Sequence, residues 1–128
     1  MGYRSEVCAV FYCDKEDFPA MQLFFDENTP KDNELFDKTD TDQYEIVDLG
    51  DKMMIRYLFV DVKWYDGEGT CQEFMEFMSA FAEVANDEAM SWNYEYVRIG
   101  EEYNDIHTLE SNDHDHLICI RREIEYNF

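Results

Sequence analysis

The chain has 128 residues, 45% of them hydrophobic and 16% aromatic, and its 31 Asp/Glu outnumber 10 Lys/Arg to give a formal charge of -21. Chains this acidic are usually disordered, because self-repulsion opposes compaction, but ten Phe, nine Tyr, two Trp and seven Met are enough to build one folded domain spanning residues 1–128. The charge excludes DNA, RNA and anionic lipid surfaces as direct partners, since binding them relies on Lys/Arg to displace counterions, and favours a basic protein surface, a metal ion or a polyamine.

Residues 5–13 (SEVCAVFYC) are nearly continuously apolar, the pattern of a strand covered on both faces. A helix follows and runs to Asn28. Asp14 or Asp17 is the expected cap, and Pro19 fits only a first turn, which puts the start near Asp17. Its apolar side would carry Phe18, Met21, Leu23 or Phe24, and Phe25. Pro30 ends it, and residues 31–42 read as a loop or a short extra helix around 34–38.

Residues 44–49 and 53–65 predict two strands around a tight turn at Gly50-Asp51. The second would place Leu58, Val60, Val62 and Trp64 on one face. Asp66-Gly67-Glu68-Gly69 breaks it. Thr70 with Glu73 then fits the capping box of a second helix. Phe74, Phe77, Met78, Phe81, Val84 and Ala85 recur behind it at helical spacing, and Glu73, Glu76 and Glu83 take the opposite side. Residues 92–99 (WNYEYVRI) and 117–126 (LICIRREIEY) predict the last strands, joined by an acidic loop over 100–116.

The order β-α-β-β-α-β-β predicts an α+β domain: an antiparallel sheet of about five strands with two helices on one face, a ferredoxin-like elaboration. Cys8, Cys13, Cys71 and Cys119 form neither a CxxC pair nor a zinc-site spacing, so they are expected to be reduced. No leader-like segment and no apolar run near ~20 residues occurs, so a cytosolic, soluble protein is expected.

The acids are unevenly spread. Residues 26–51 hold ten Asp/Glu with only Lys31 and Lys38, residues 64–97 hold eight with no Lys or Arg, and residues 100–116 add six more without a base. Size scaling gives roughly 7,000 Å² of surface, or one net charge per about 340 Å², against about one per 100 Å² on duplex DNA. Imitating DNA therefore requires the acids to be gathered on one part of the surface.

Other chemistry is weakly signalled. Asp113-His114-Asp115-His116 with His107 upstream alternates carboxylate and imidazole, but no third ligand is fixed by spacing. Asp37, Asp40 and Asp42 lack the order and the glycine of a calcium loop. No GxSxG, P-loop, GxGxxG or HExxH pattern occurs, and with 31 carboxylates any acid/base pairing is uninformative. No cofactor and no catalytic residue is expected.

The opening Met1-Gly2-Tyr3-Arg4-Ser5-Glu6-Val7 resembles the start of a group of small, uncharacterised phage and prophage proteins that begin MGYRS-[DE]-V. The stretch Trp92-Asn93-Tyr94-Glu95-Tyr96-Val97-Arg98-Ile99-Gly100-Glu101-Glu102 is similar to a later strand motif of the same group. The resemblance implies a phage or mobile-element origin and brings no catalytic residues. By analogy of charge and size alone, such a protein is expected to be a non-enzymatic inhibitor of the anti-CRISPR or anti-restriction type. It would present a DNA-mimicking surface to a basic DNA- or RNA-binding surface of a host protein. The residues expected to carry it are Glu73, Glu76 and Glu83 on the second helix, with Asp66, Glu68, Asp87, Glu88, Glu101, Glu102 and Asp105 beside it. The rival expectations are a protein-binding module whose acidity serves only solubility, docking by a sheet edge or an aromatic patch, and a small-ligand binder or enzyme.

Overall fold

A computed structural model describes residues 4–39, 43–63, 69–86, 91–100 and 106–110. Five strands form one antiparallel sheet: β1 (Arg4–Asp14), β2 (Tyr44–Asp48), β3 (Lys52–Lys63), β4 (Asn93–Gly100) and β5 (Ile106–Glu110), in the spatial order β2-β3-β1-β4-β5. Helices α1 (Phe18–Asn28) and α2 (Gly69–Ala85) form the crossovers. The first four strands follow the plaited order of a split β-α-β domain, and β5 extends the sheet beyond β4.

Both helices pack on one face, where Val7, Ala9, Phe11 and Cys13 of β1 alternate with back-face residues. Phe11 sits at the centre, with ring centroids 5.3 Å from Phe25, 5.8 Å from Phe77 and 4.8 Å from Phe81. Edge-on pairs of this kind add about 0.5–1.5 kcal/mol each beyond the area they bury. On α1, Phe24 turns inward against Trp92 while Leu23 is 58% exposed.

The back face of β1 is buried as well. Val10 and Tyr12 pack with Met54, and the Tyr12 hydroxyl donates to Glu95 Oε2 at 2.7 Å. Glu95, only 4% exposed, thereby has a hydrogen-bond donor of the kind a buried carboxylate requires. Coverage of β1 on both faces agrees with its unbroken apolar sequence.

Three expectations need correction. Residues 100–116 are not wholly a loop, because Ile106–Glu110 is a strand paired with β4. His107 and Leu109 are half-buried between exposed Ile106, Thr108 and Glu110, so the period-two signal is present but confined to five residues. The strand expected over 117–126 lies outside the described residues. On β3 the grouping of Leu58 and Val60 on one face needs only a sign: the core face is the other one, Ile55, Tyr57 and Phe59, and Val60 is 62% exposed. Alternation alone does not say which face the helices cover. Lastly, Gly69 has φ +53, a left-handed conformation suited to glycine, so the right-handed turns of α2 begin at Thr70. Thr70 thus lies in the first turn rather than ahead of it.

The rest of the pattern holds. The turn between β2 and β3 is closed by the Leu49 N–H donating to the Lys52 carbonyl at 2.9 Å, with Gly50 at φ +98. A 3-10 turn over Glu34–Phe36 supplies the short extra helix and drives Leu35 and Phe36 into the core.

Candidate acidic interface on the second helix

Helix α2 is amphipathic because its large apolar residues recur every three to four positions. Cys71, Phe74, Phe77, Met78 and Phe81 are buried against the sheet. Glu73, Glu76 and Glu83 are exposed. At 100° per residue they fall within an arc of about 80°, and at 1.5 Å per residue they span about 15 Å of axis. These three of the ten expected site residues therefore share one stripe. Asp66, Glu68, Asp87, Glu88, Glu101, Glu102 and Asp105 lie outside the described residues.

The stripe is oriented by a residue the sequence did not flag. Asn33, just ahead of the 3-10 turn, is buried and donates from Nδ2 to the Thr70 carbonyl at 3.1 Å and to Glu73 Oε1 at 2.9 Å. Its Oδ1 accepts from the Leu35 N–H at 2.9 Å. One side chain thus ties the 3-10 turn to the start of α2 and fixes the Glu73 carboxylate. The partners are 40 positions apart, so no local pattern announces the contact. Glu76 accepts a long bond from Gln72 Nε2 at 3.4 Å.

No Lys or Arg among the described residues pairs with these three glutamates. Four cations are engaged elsewhere. Lys15 meets Asp48 at 3.1 Å, Lys38 meets Asp26 at 3.0 Å, Lys52 meets Asp14 at 3.3 Å and Arg56 meets Glu45 at 3.7 Å. All four pairs involve β1, β2, β3, α1 or the segments beside them. The Gly50 N–H bond and Lys15 together hold the Asp48 carboxyl below its usual value. Exposed pairs of this kind add little stability, but they cancel charge locally.

Between α1 and the β2 edge lies an open cleft of about 420 Å³, lined by Gln22, Phe25, Asp26, Lys38, Tyr44, Ile46 and Ile55. Its floor is apolar, and the Asp26–Lys38 pair stands on its rim. Burial raises the Tyr44 phenol above its ordinary value. Nothing in this lining resembles a nucleophile activated by a base.

The other candidates for chemistry are structurally committed or inert. Burial pushes the Cys8 thiol up to about 11 and the Cys13 thiol up to about 12, which keeps both protonated and unreactive near neutrality. Cys8, Cys13 and Cys71 are free thiols. Asp37 spends Oδ1 on the Thr39 N–H and hydroxyl, and the His107 ring stands edge-on to Tyr96 at 5.6 Å. Among the described residues, no group of three or more His, Cys, Asp or Glu is placed to hold a metal ion. Asp40, Asp42 and residues 113–116 lie outside the described residues. No helix among them is long and apolar enough to cross a membrane.

No protein-family model matches the sequence, and neither a curated protein nor a solved structure matches it.

Proposed function

We propose that this chain is a non-enzymatic, phage-encoded inhibitor that acts in the host cytoplasm by occupying the DNA-binding surface of a host defence or DNA-processing protein. The anti-CRISPR and anti-restriction classes are the type intended. The observation that carries the reading is the exposed stripe of Glu73, Glu76 and Glu83, oriented in part through Asn33 and without a cation partner among the described residues.

Magnitude sets the terms. Three charges spanning about 15 Å stand about 7.5 Å apart on average, sparser than the one per 3.4 Å of a single DNA strand. The stripe therefore supplies part of a strand's charge, and the reading requires Asp66 and Glu68, before the helix in sequence, and Asp87 and Glu88, after it, to supply the remainder. Glu101, Glu102 and Asp105 are the next contributors. The partner's basic surface would be met by charge before contact, giving fast association that weakens steeply with salt.

The test is affinity capture from host lysate at 50 mM salt, eluting with duplex DNA. The expected result is a DNA-binding protein that elutes with duplex and is not captured by the Glu73→Lys, Glu76→Lys, Glu83→Lys triple variant. Capture that resists duplex DNA, or that the triple variant retains, overturns the reading.

A further inference from the structure

Among the described residues, strand β2 ends the sheet and its outward backbone groups have no backbone partner. Which groups face outward follows from the ladder. The Leu49 N–H donates to Lys52 O and the Leu58 N–H donates to Gln43 O, so Gln43, Val47 and Leu49, with Glu45 between, turn their backbone groups toward β3. Tyr44, Ile46 and Asp48 turn theirs outward. The side chains of Tyr44 and Ile46 are also the ones that line the cleft beside α1, and Ile46 is 41% exposed there.

We infer that the β2 edge and this cleft together bind an extended, cationic segment of a partner protein, which adds as a sixth strand beside Ile46 and places an apolar side chain over the cleft. The geometry couples the two parts. In an antiparallel addition, the residue opposite Ile46 exchanges both backbone bonds with it and points to the same face of the sheet. That face is the cleft, floored by Phe25, Ile55 and Tyr44. Residues on either side of it would point to the opposite face, beside Glu45.

Charge selects the occupant. A second copy of this chain would bring another -21 to the contact, and exposed edges in natural proteins are commonly kept apart by such like charge. The acids of the edge, Glu45, Asp48 and Asp26, are paired with Arg56, Lys15 and Lys38, so the preference for a cationic segment comes from the net field of the chain, and the edge and cleft contribute backbone and apolar contacts. A segment alternating Lys with large apolar residues satisfies the backbone, the cleft and the field at once. This surface is separate from the α2 stripe, and either can fail without the other.

The experiment uses the full chain and a fluorescent peptide, Lys-Val-Lys-Phe-Lys-Val-Lys, titrated by anisotropy in 0.5 M salt, where surface electrostatics is screened within a few Å but backbone pairing persists. Saturable binding with amide shifts at Tyr44, Ile46 and Asp48 is expected. N-methylation of the central Phe should weaken it about 10-fold or more by deleting one ladder bond and obstructing strand approach. Ile46→Pro should do the same and still fold, since the N–H it removes faces outward from an edge strand. Replacing Glu73, Glu76 and Glu83 by Gln should leave affinity unchanged. The inference is overturned by equal binding of the N-methylated peptide, by loss of binding in the α2 variant, by a dimer of this chain through β2, or by no saturation by about 1 mM, the weak end of specific affinity.

Discussion

The exposed side of α2 and the end of the molecule around the β2–β3 hairpin are both acidic, yet they handle charge in opposite ways. Around the hairpin and α1, Asp14, Asp26, Glu45 and Asp48 each have a Lys or Arg within 4 Å. On α2, Glu73, Glu76 and Glu83 have none among the described residues. Sequence spacing alone does not show this, because Lys15 and Asp48 are far apart in the chain and meet only through the sheet. Net charge is therefore a poor guide to where a field is strong. Compensated acids leave a surface that a strand can approach, and uncompensated acids leave one that attracts cations from a distance.

Removing the support of one region should break the contrast most severely. Phe81, wholly buried between Phe11 and Trp92, anchors α2 to the sheet. Phe81→Ala should cost about 3–5 kcal/mol in urea unfolding and take the α2 stripe with it. Reversing charge tests the contrast directly. The triple Lys variant on α2 should lower affinity for a basic partner about 100-fold at low salt, whereas Glu45→Lys and Asp48→Lys together should change it far less. Isothermal titration at two salt concentrations separates the two.

Smaller changes sharpen it. Asn33→Ala removes the tie between the 3-10 turn and α2 and should cost about 1–3 kcal/mol, because the buried Leu35 N–H loses its acceptor and the Thr70 carbonyl loses its bond from outside the helix. Amide exchange should accelerate in the first turn of α2 before the hairpin responds. Alkali acts on the sheet beneath both regions. The Cys8 and Cys13 thiols titrate at about 11 and about 12 when folded, against 9.0 as the ordinary value. The unfolded chain therefore loses these protons first, so stability is full below pH 9 and falls as pH rises through 11–12. Circular dichroism melts from pH 8 to 12 read this out. The smallest effect belongs to Tyr57, whose buried hydroxyl has no hydrogen-bond partner among the described residues. Tyr57→Phe should stabilise by up to about 1 kcal/mol, whereas Tyr12→Phe should destabilise because it removes a 2.7 Å hydrogen bond to the buried Glu95 carboxylate.

The sequence carried the α+β class, the helical stripe of α2 and the apolar run of β1, because each rests on local periodicity. It missed β5, where an acidic context hid five alternating residues, and it grouped Leu58 and Val60 on one face of β3 without saying that the opposite face, Ile55, Tyr57 and Phe59, is the core. For β3 the reason is that alternation shows that two faces differ and not which one a helix will cover. The site divides in the same way. Glu73, Glu76 and Glu83 were legible as one helical side, since 3.6 residues per turn fixes their arc.

Composition and spacing by themselves determined that this chain folds, that it is polyanionic, and that three glutamates line one side of α2. Only the tertiary structure decided which carboxylates are neutralised. Ion pairs such as Lys15 with Asp48, and the buried tie from Asn33 to Glu73, join residues tens of positions apart. Coulomb attraction and hydrogen bonds act over a few Å of space, so they follow the packing of the sheet rather than the order of the chain.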